Sequence, residues 1–487
     1  MERWLKQSGA SGLDDLELVD FSDTGRGVRT LRRFGEGEKI FTIPHDVLWT
    51  TKHAYADPVL GPALLSARPP LSIDDTLATY ILFVRSRRSG YDGLQSHVAA
   101  LPASYTSSIF FAEAELELCA GTSLYTTTKH LDRQIEGDYK ELVARLFGQH
   151  QELFPRAKFT IDDYKWALCT VWSRAMDFKL HDGDSIRLLA PFADMLNHSS
   201  DVGQCHSYDP MSGNLSVLAG KTYEPGDQYA YQEVFLQVFI NYGSIPNNRL
   251  SRLYGFVVPG NPNDSYDLVL ATHPMAPFFE QKHKLWITAG LDSTSTVSLT
   301  LTEPLPISVL RYLRIQRLNE SDLAVVVPHQ SDAACEKISD SNEMEVLEFL
   351  VESISTLLDG FALQLEKLEE QLAEGFYTPA GNAWLAAHVS LGEQRVLRLT
   401  KKTAEASLAA AESGNGDKRG LLSTVAQCAK CKKVLAQLMR CGRCNEVMYC
   451  GRACQVAHYK EHKANCRATA AKTDSRRTLQ DKQRGSQ

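Results

Sequence analysis

The sequence predicts a mixed α+β body, then a helical domain, then a small zinc-stabilised finger. Three observations lead there. Short β-type runs near the N-terminus and over residues 186–257 bracket a helical stretch at about 72–180. From about residue 304, apolar residues recur every three or four positions. Seven of the eleven cysteines fall between Cys428 and Cys466.

At 487 residues the chain is too long for one core. Its 43% hydrophobic and 23% charged residues are those of an ordinary soluble protein. No apolar run approaches the roughly 20 residues that cross a bilayer, so a membrane partner is not expected.

The elements follow in order. Residues 21–50 are punctuated by glycine and contain β-type runs at Val28–Leu31 and Lys39–Ile43, which predict hairpins. Asp74–Arg88 gathers its apolar residues on one helical face, and further helices follow to Arg174. Short strands then return, with turns at Asp209–Gly213 and Glu224–Asp227. Asn342–Leu372 reads as one long amphipathic helix, with Asn342 and Glu345 as its capping box and Gly375 as its stop. Asn382–Leu399 is a further helix, and Glu412–Gly420 is a polar, glycine-containing linker. The basic last 20 or so residues lack apolar periodicity and are expected to be disordered. The division expected is 1–260 with a helical insertion at about 72–180, 261–410, a linker 411–427, a finger 428–466 and a tail 467–487.

The cysteine stretch is the most specific signal. Its spacing, C-x2-C-x9-C-x2-C-x5-C-x3-C-x7-H-x3-C, offers Cys428, Cys431, Cys441, Cys444, Cys450, Cys454, His462 and Cys466. Eight thiolate and imidazole ligands suit two tetrahedral zinc ions. A domain this short buries little apolar surface, so its folding should depend on metal. C-x2-C pairs suit metal rather than disulfides. The N-terminal segment is polar and acidic, unlike a secretory signal. Cys119, Cys169, Cys205 and Cys335 are therefore expected as reduced thiols, in a protein of the cytoplasm and/or nucleus. Formal charge is −7 overall. The finger sets eight Lys and Arg against two Glu, but its thiolates offset much of that, which argues against nucleic acid as partner.

The finger resembles the MYND zinc finger in C-x3-C-Q at Cys450–Gln455 and in the closing His458–Cys466. Tyr459 stands where that family usually carries Trp. The resemblance implies interleaved pairs: Cys428, Cys431, Cys450 and Cys454 on one ion, and Cys441, Cys444, His462 and Cys466 on the other. It also implies a peptide partner for the finger.

Four pieces of the body stand out together: Thr24–Val28 (TGRGV), Trp172–Met176 (WSRAM), Phe192–Ser200 (FADMLNHSS) and Ile240–Val257 (INYGSIPNNRLSRLYGFV). Singly each is weak. In this order, flanking a helical insertion, they resemble a SET-domain methyltransferase. The likeness is to the class of the Rubisco large-subunit lysine methyltransferase and the actin-histidine methyltransferase. Leu101–Phe111 belongs to that likeness, and Pro304–Leu318 and Gly392–Leu399 resemble the class's helical substrate-binding domain. In the better-known SET-plus-MYND proteins the finger lies inside SET, whereas here it follows a linker.

The resemblance implies a SET β-fold with a helical insertion, an all-α substrate-binding domain, S-adenosylmethionine (AdoMet) as cofactor and a protein substrate. It assigns Tyr242 and Tyr254 to catalysis. It assigns Gly25, Arg26 and Gly27, in a turn that lets backbone approach, with Arg174, Asn197, His198 and Tyr242, to AdoMet. It places Ser173, Arg174, Asp194, Tyr208 and Tyr254 on the substrate side. Methyl transfer from a sulfonium is an in-line displacement, so alignment and exclusion of water matter most. A lysine, with an ordinary pKa near 10.4, must lose its proton first, and an apolar channel favours that loss by desolvation. Histidine methylation, and an interaction scaffold with a catalytically weak SET body, stay open beside lysine methylation.

Overall fold

A computed structural model describes residues 1–22, 24–180, 183–224, 237–326, 337–412, 429–430, 439–441, 447–449, 452–463 and 466. The Pro225–Asp227 part of the second turn, Cys335, Cys428, Cys431, Cys444, Cys450, the linker beyond Glu412 and the tail lie outside them. The chain forms two compact units, Met1–Pro259 with Glu366–Ser390, and Gly260–Leu365 with Leu391–Gln487.

The first unit contains three small sheets. β1 (Leu16–Phe21) and β2 (Gly25–Thr30) form an antiparallel hairpin, registered from Leu16 opposite Thr30 to Phe21 opposite Gly25. That sheet continues through β10 (Gln237–Ile240) to β7 (Asn197–His198), in the order β1-β2-β10-β7. β10 runs antiparallel to β2 and parallel to β7, with Phe239 beside Asn197 and Ile240 beside His198. The second sheet is β3 (Lys39–Ile43), β9 (Leu215–Leu218) and β8 (His206–Tyr208). The third is β4 (Trp49–Thr50), β6 (Ser185–Leu189) and β5 (Met176–Lys179). Gly25, Arg26 and Gly27 therefore lie in a strand instead of in the expected turn, because the chain has already reversed before the Phe21–Gly25 pair.

The helical insertion lies between β4 and β5. Its first long helix, Ile73–Ser86, starts where the Ser72 hydroxyl accepts from the Asp75 amide at 3.0 Å, a cap worth about 1 kcal/mol. Leu77, Ile81, Leu82, Phe83 and Val84 are all buried, each contributing about 1.5–3 kcal/mol. The insertion ends in the helix Ile161–Arg174, opened by a Thr160–Asp163 capping box. Both helices share one core with Trp49, Phe34, Phe41 and Phe192, and the Trp49 ring lies 5.0 Å from that of Tyr80. Phe192 is fully buried at φ 74°, a sparsely populated backbone conformation that costs about 1–3 kcal/mol for a residue other than glycine. Its ring meets Phe41 edge-on at 5.5 Å.

The second unit is helical as expected, with the helices Phe279–Thr288, Ile307–Gln316 and Asp340–Asp359. It is not all-α. β11 (Ser265–Ala271) and β12 (Thr294–Thr300) form a seven-residue antiparallel hairpin. The core is built on Trp286 stacked on Tyr312 at 4.9 Å, with Val309, Val346, Ile354 and Val396. The expected helix Asn342–Leu372 is broken. It starts two residues earlier, at Asp340, capped by Ser339, stops before Gly360, and resumes as Leu365–Ala373. Gly375, at φ 68°, ends the second piece as expected. Asn382–Glu412 runs 13 residues beyond the expected Leu399, carried by the alanine-rich KKTAEASLAAAE. Its first turns, expected in the helical domain, pack in the first unit, where Leu385, Ala386 and Val389 meet Cys119, Leu124 and Val257. No helix among the described residues is long and apolar enough to cross a membrane.

Candidate active site

β7, β10 and β2 bring the first group of site residues together. The amide nitrogen of Asn197 donates to the Arg26 carbonyl at 3.1 Å and to that of Thr24 at 3.4 Å. A Cβ at position 27 would lie 2.1 Å from the Gln237 side-chain nitrogen and 2.9 Å from that of Asn197, so glycine there lets both side chains keep their places. Gly25 has φ 66° and open space around its missing Cβ, so only its backbone conformation demands glycine. The Arg26 guanidinium donates to the Ala100 carbonyl at 2.5 Å.

Tyr242 follows β10. Its amide donates to His198 Nδ1 at 3.1 Å, and its hydroxyl donates to the Leu196 carbonyl at 2.8 Å. Its ring stacks on Tyr254, with centroids 5.0 Å apart and planes at 25°. His198 and Phe256 close the aromatic group. Burial raises the Tyr242 and Tyr254 phenols above their ordinary value, so both stay protonated near neutrality. Tyr242 is thus not a base. With its proton committed to Leu196, its oxygen is left as an acceptor. Burial lowers the pKa of His198, which keeps the ring neutral and Nδ1 free to accept.

Tyr242 and Tyr254 border a cleft of about 430 Å³ whose walls also include Ser173, Arg174, Met176, Ala193, Leu196, His206 and Ile240. Of the residues placed on the substrate side, Ser173, Arg174, Asp194 and Tyr254 border this cleft. Asp194 does so by main chain alone, since its side chain has no exposure. Its carboxylate meets His97 Nε2 at 2.9 Å, and its carbonyl accepts from Arg174 Nη1 at 2.6 Å. Burial works to raise the Asp194 carboxyl, but His97 and Arg174 overcome this and hold it below the usual carboxylate range. Tyr208 is absent from the described lining. It lies against Phe178 at 5.9 Å, and His206, two residues earlier on the same face of β8, lines the cleft instead. Arg174 Nε and His206 Nδ1 are buried without a hydrogen-bond partner among the described residues. The sequence reading missed His206, Met176, Ala193 and Leu196. Strand alternation would have pointed to His206 once Tyr208 was chosen.

In the finger, Cys441, His462 and Cys466 place their ligand atoms within 4.8 Å of one another. The two sulfurs are 3.9 Å apart, and His462 Nε2 is 3.3 Å from Cys441. Tetrahedral zinc, at about 2.3 Å from sulfur and 2.0–2.1 Å from nitrogen, separates such pairs by about 3.8 and 3.6 Å. The donor set therefore fits zinc, and these are three of the four ligands assigned to one ion. Cys454, of the other set, lies in the closing helix Arg452–Lys463. β13 (Met439–Arg440) and β14 (Met448–Tyr449) pair beneath it, and fully buried Tyr449 donates to or accepts from His458 at 3.2 Å.

Fold and cleft together define a SET-fold chain with two added modules. Residues 273–397 match the Rubisco LSMT substrate-binding family, and residues 428–466 match the MYND finger family. The chain therefore carries a Rubisco LSMT substrate-binding domain and a MYND finger. The SET domain of LSMT bound to lysine and AdoHcy is similar with a TM-score of 0.74 at 22% identity, over 85% of this chain and 91% of that one. Rubisco LSMT bound to AdoMet is similar with a TM-score of 0.73 at 22% identity, over 85% and 92%. Among relatives, the actin-histidine N-methyltransferase of Rhinolophus ferrumequinum is 26% identical over 423 residues, 83% of this chain and 68% of its own length. The same enzyme of Homo sapiens is 26% identical over 420 residues, 82% and 67%.

Proposed function

We propose that this chain is an AdoMet-dependent protein methyltransferase whose acceptor is the ε-amine of a protein lysine. One observation carries the reading: two protonated phenols, Tyr242 and Tyr254, stacked beside a cleft whose lining sets Met176, Ala193, Leu196 and Ile240 beside polar residues that include Arg174. The Arg174 cation and these apolar residues favour the uncharged amine over the ammonium, against the carboxylate of Asp177 in the same lining, so the amine gives up its proton to water before it attacks. The Tyr242 oxygen, its own proton held by Leu196, accepts from the amine and orients it. Arg26, Asn197 and His198, brought together with Tyr242 by the β2–β10–β7 sheet, are the residues that would hold AdoMet, which supplies the methyl group as a sulfonium. Arg174, whose Nε has no hydrogen-bond partner among the described residues, joins them from the cleft wall. Two zinc ions in the finger hold it folded and present it to a peptide partner.

Histidine is the second acceptor to test, because the actin-histidine enzymes align with more than four fifths of the chain. The test is labelled methyl transfer from AdoMet to a cell lysate, followed by acid hydrolysis and amino-acid analysis. Methyllysine is expected. Label in methylhistidine would overturn the acceptor, and no incorporation would overturn the reaction.

A further inference from the structure

We propose that His97 is a positioning residue for Tyr242, acting through Asp194, Arg174 and the turn that ends at Leu196. The inference rests on the methyltransferase reading only for its effect on turnover. The geometry stands by itself.

His97 lies in the last turn of the helix Asp92–Val98, outside every sequence motif of the site, and is 1% exposed. Its ring lies 5.8 Å from that of Trp49. Its Nε2 is the closest donor to the Asp194 carboxylate. That carboxylate is wholly buried, and its second oxygen has no hydrogen-bond partner among the described residues. Arg174 Nη1 serves two places on the same residue: it donates to the Asp194 carbonyl at 2.6 Å and stands 3.6 Å from the carboxylate. A buried carboxylate that loses its hydrogen bond takes the nearest cation. Without His97, Asp194 would therefore draw Nη1 from its own carbonyl. The tight turn Ala193–Met195, entered through Phe192 at φ 74°, would keep its backbone bonds from Asp194 to Ala190, Met195 to Phe192 and Leu196 to Ala193 but lose the side-chain contact that sets the direction of its carbonyls. The next carbonyl, Leu196, is the acceptor of the Tyr242 hydroxyl. The path from His97 to the reacting centre thus runs through contacts of 2.9, 2.6 and 2.8 Å.

A merely structural histidine would affect folding and nothing else, so the test reads Tyr242 directly. The full chain is labelled with 13Cζ-tyrosine, and the Tyr242 signal is assigned from its loss in Tyr242→Phe. His97→Phe keeps an aromatic ring beside Trp49 and removes the donor. His97→Gln keeps a donor near the Nε2 position. The signal is expected to move in His97→Phe and to return toward the wild-type position in His97→Gln. If His97→Phe does not fold, His97→Met, matched to glutamine in length, takes its place. AdoMet affinity by calorimetry is expected to weaken in His97→Phe, where Arg174 is drawn away, and to return toward wild type in His97→Gln. On lysate substrate at saturating AdoMet, kcat is expected to fall on the order of 10²-fold in the variant lacking the donor. An unmoved Tyr242 signal in a folded variant without the donor would overturn the proposal, as would equal displacement by His97→Gln. A wild-type protein that moves no methyl group would overturn the methyltransferase reading and leave the tyrosine signal to decide the role of His97.

Discussion

Tyr242→Phe removes one oxygen and leaves the ring. The stacking on Tyr254 at 5.0 Å and the amide contact to His198 at 3.1 Å do not involve the hydroxyl and are kept. The buried Leu196 carbonyl loses its 2.8 Å donor, a net loss of about 1 kcal/mol. For a unit of this size that lowers the melting temperature by about 2–4 °C. On the proposed function, the acceptor also loses the oxygen that aligns it. Removal of one preorganised polar contact at a reacting centre costs on the order of 10²–10³ in kcat, or about 2.7–4 kcal/mol. The assay is tritiated methyl transfer to lysate protein at saturating AdoMet, beside calorimetric binding and a thermal melt. The expected pattern is near-wild-type AdoMet affinity with turnover lost. Turnover within about threefold of wild type, a difference under 1 kcal/mol, would refute the role of the hydroxyl and turn attention to Tyr254.

Three further outcomes follow. His198, His53 and His206 all have pKa values lowered by burial, so the folded state binds fewer protons than the unfolded one. Stability should fall as pH drops below about 6.5, and His198→Asn, which accepts from Tyr242 without titrating, should reduce that loss in melts from pH 8 to 5. Gly27→Ala forces a methyl onto Gln237 and Asn197 and should cost about 1–3 kcal/mol, with AdoMet affinity falling beside it. Gly25→Ala meets only its positive φ and should cost less. Metal analysis should find two zinc ions in the full chain and none in a chain ending at Gly420, whose cores contain no finger residue. Cys441→Ser should lose one ion, and retention of both would contradict the ligand set.

The site was legible in proportion to how specialised its residues are. Asn197, His198 and Tyr242 stood out as motif residues, and the structure joins them through β7 and β10. That pairing itself was not legible, because β7 has two residues and no periodicity can show in two. His97 gave no signal, since one histidine in a helix reads as core until its partner, 97 positions away, is known. The β11–β12 hairpin alternates clearly, but the helix Phe279–Thr288 lies between its strands and leaves no turn signature. The break in the long helix was written at Gly360, whose low helix propensity was outweighed by a continuing apolar stripe. Cys441, His462 and Cys466, three of the ligands that the resemblance to the MYND finger assigned to one ion, come together; the spacing alone did not show which pairs share a metal.

The central claim is that the cleft beside Tyr242 is fed by AdoMet, and calorimetry on the full chain tests it most directly. The account predicts one AdoMet site per chain, weakened by His198→Ala and left near wild-type affinity by Tyr242→Phe. Absence of binding by the wild-type chain would contradict it, and equal binding by His198→Ala would remove His198 from the site.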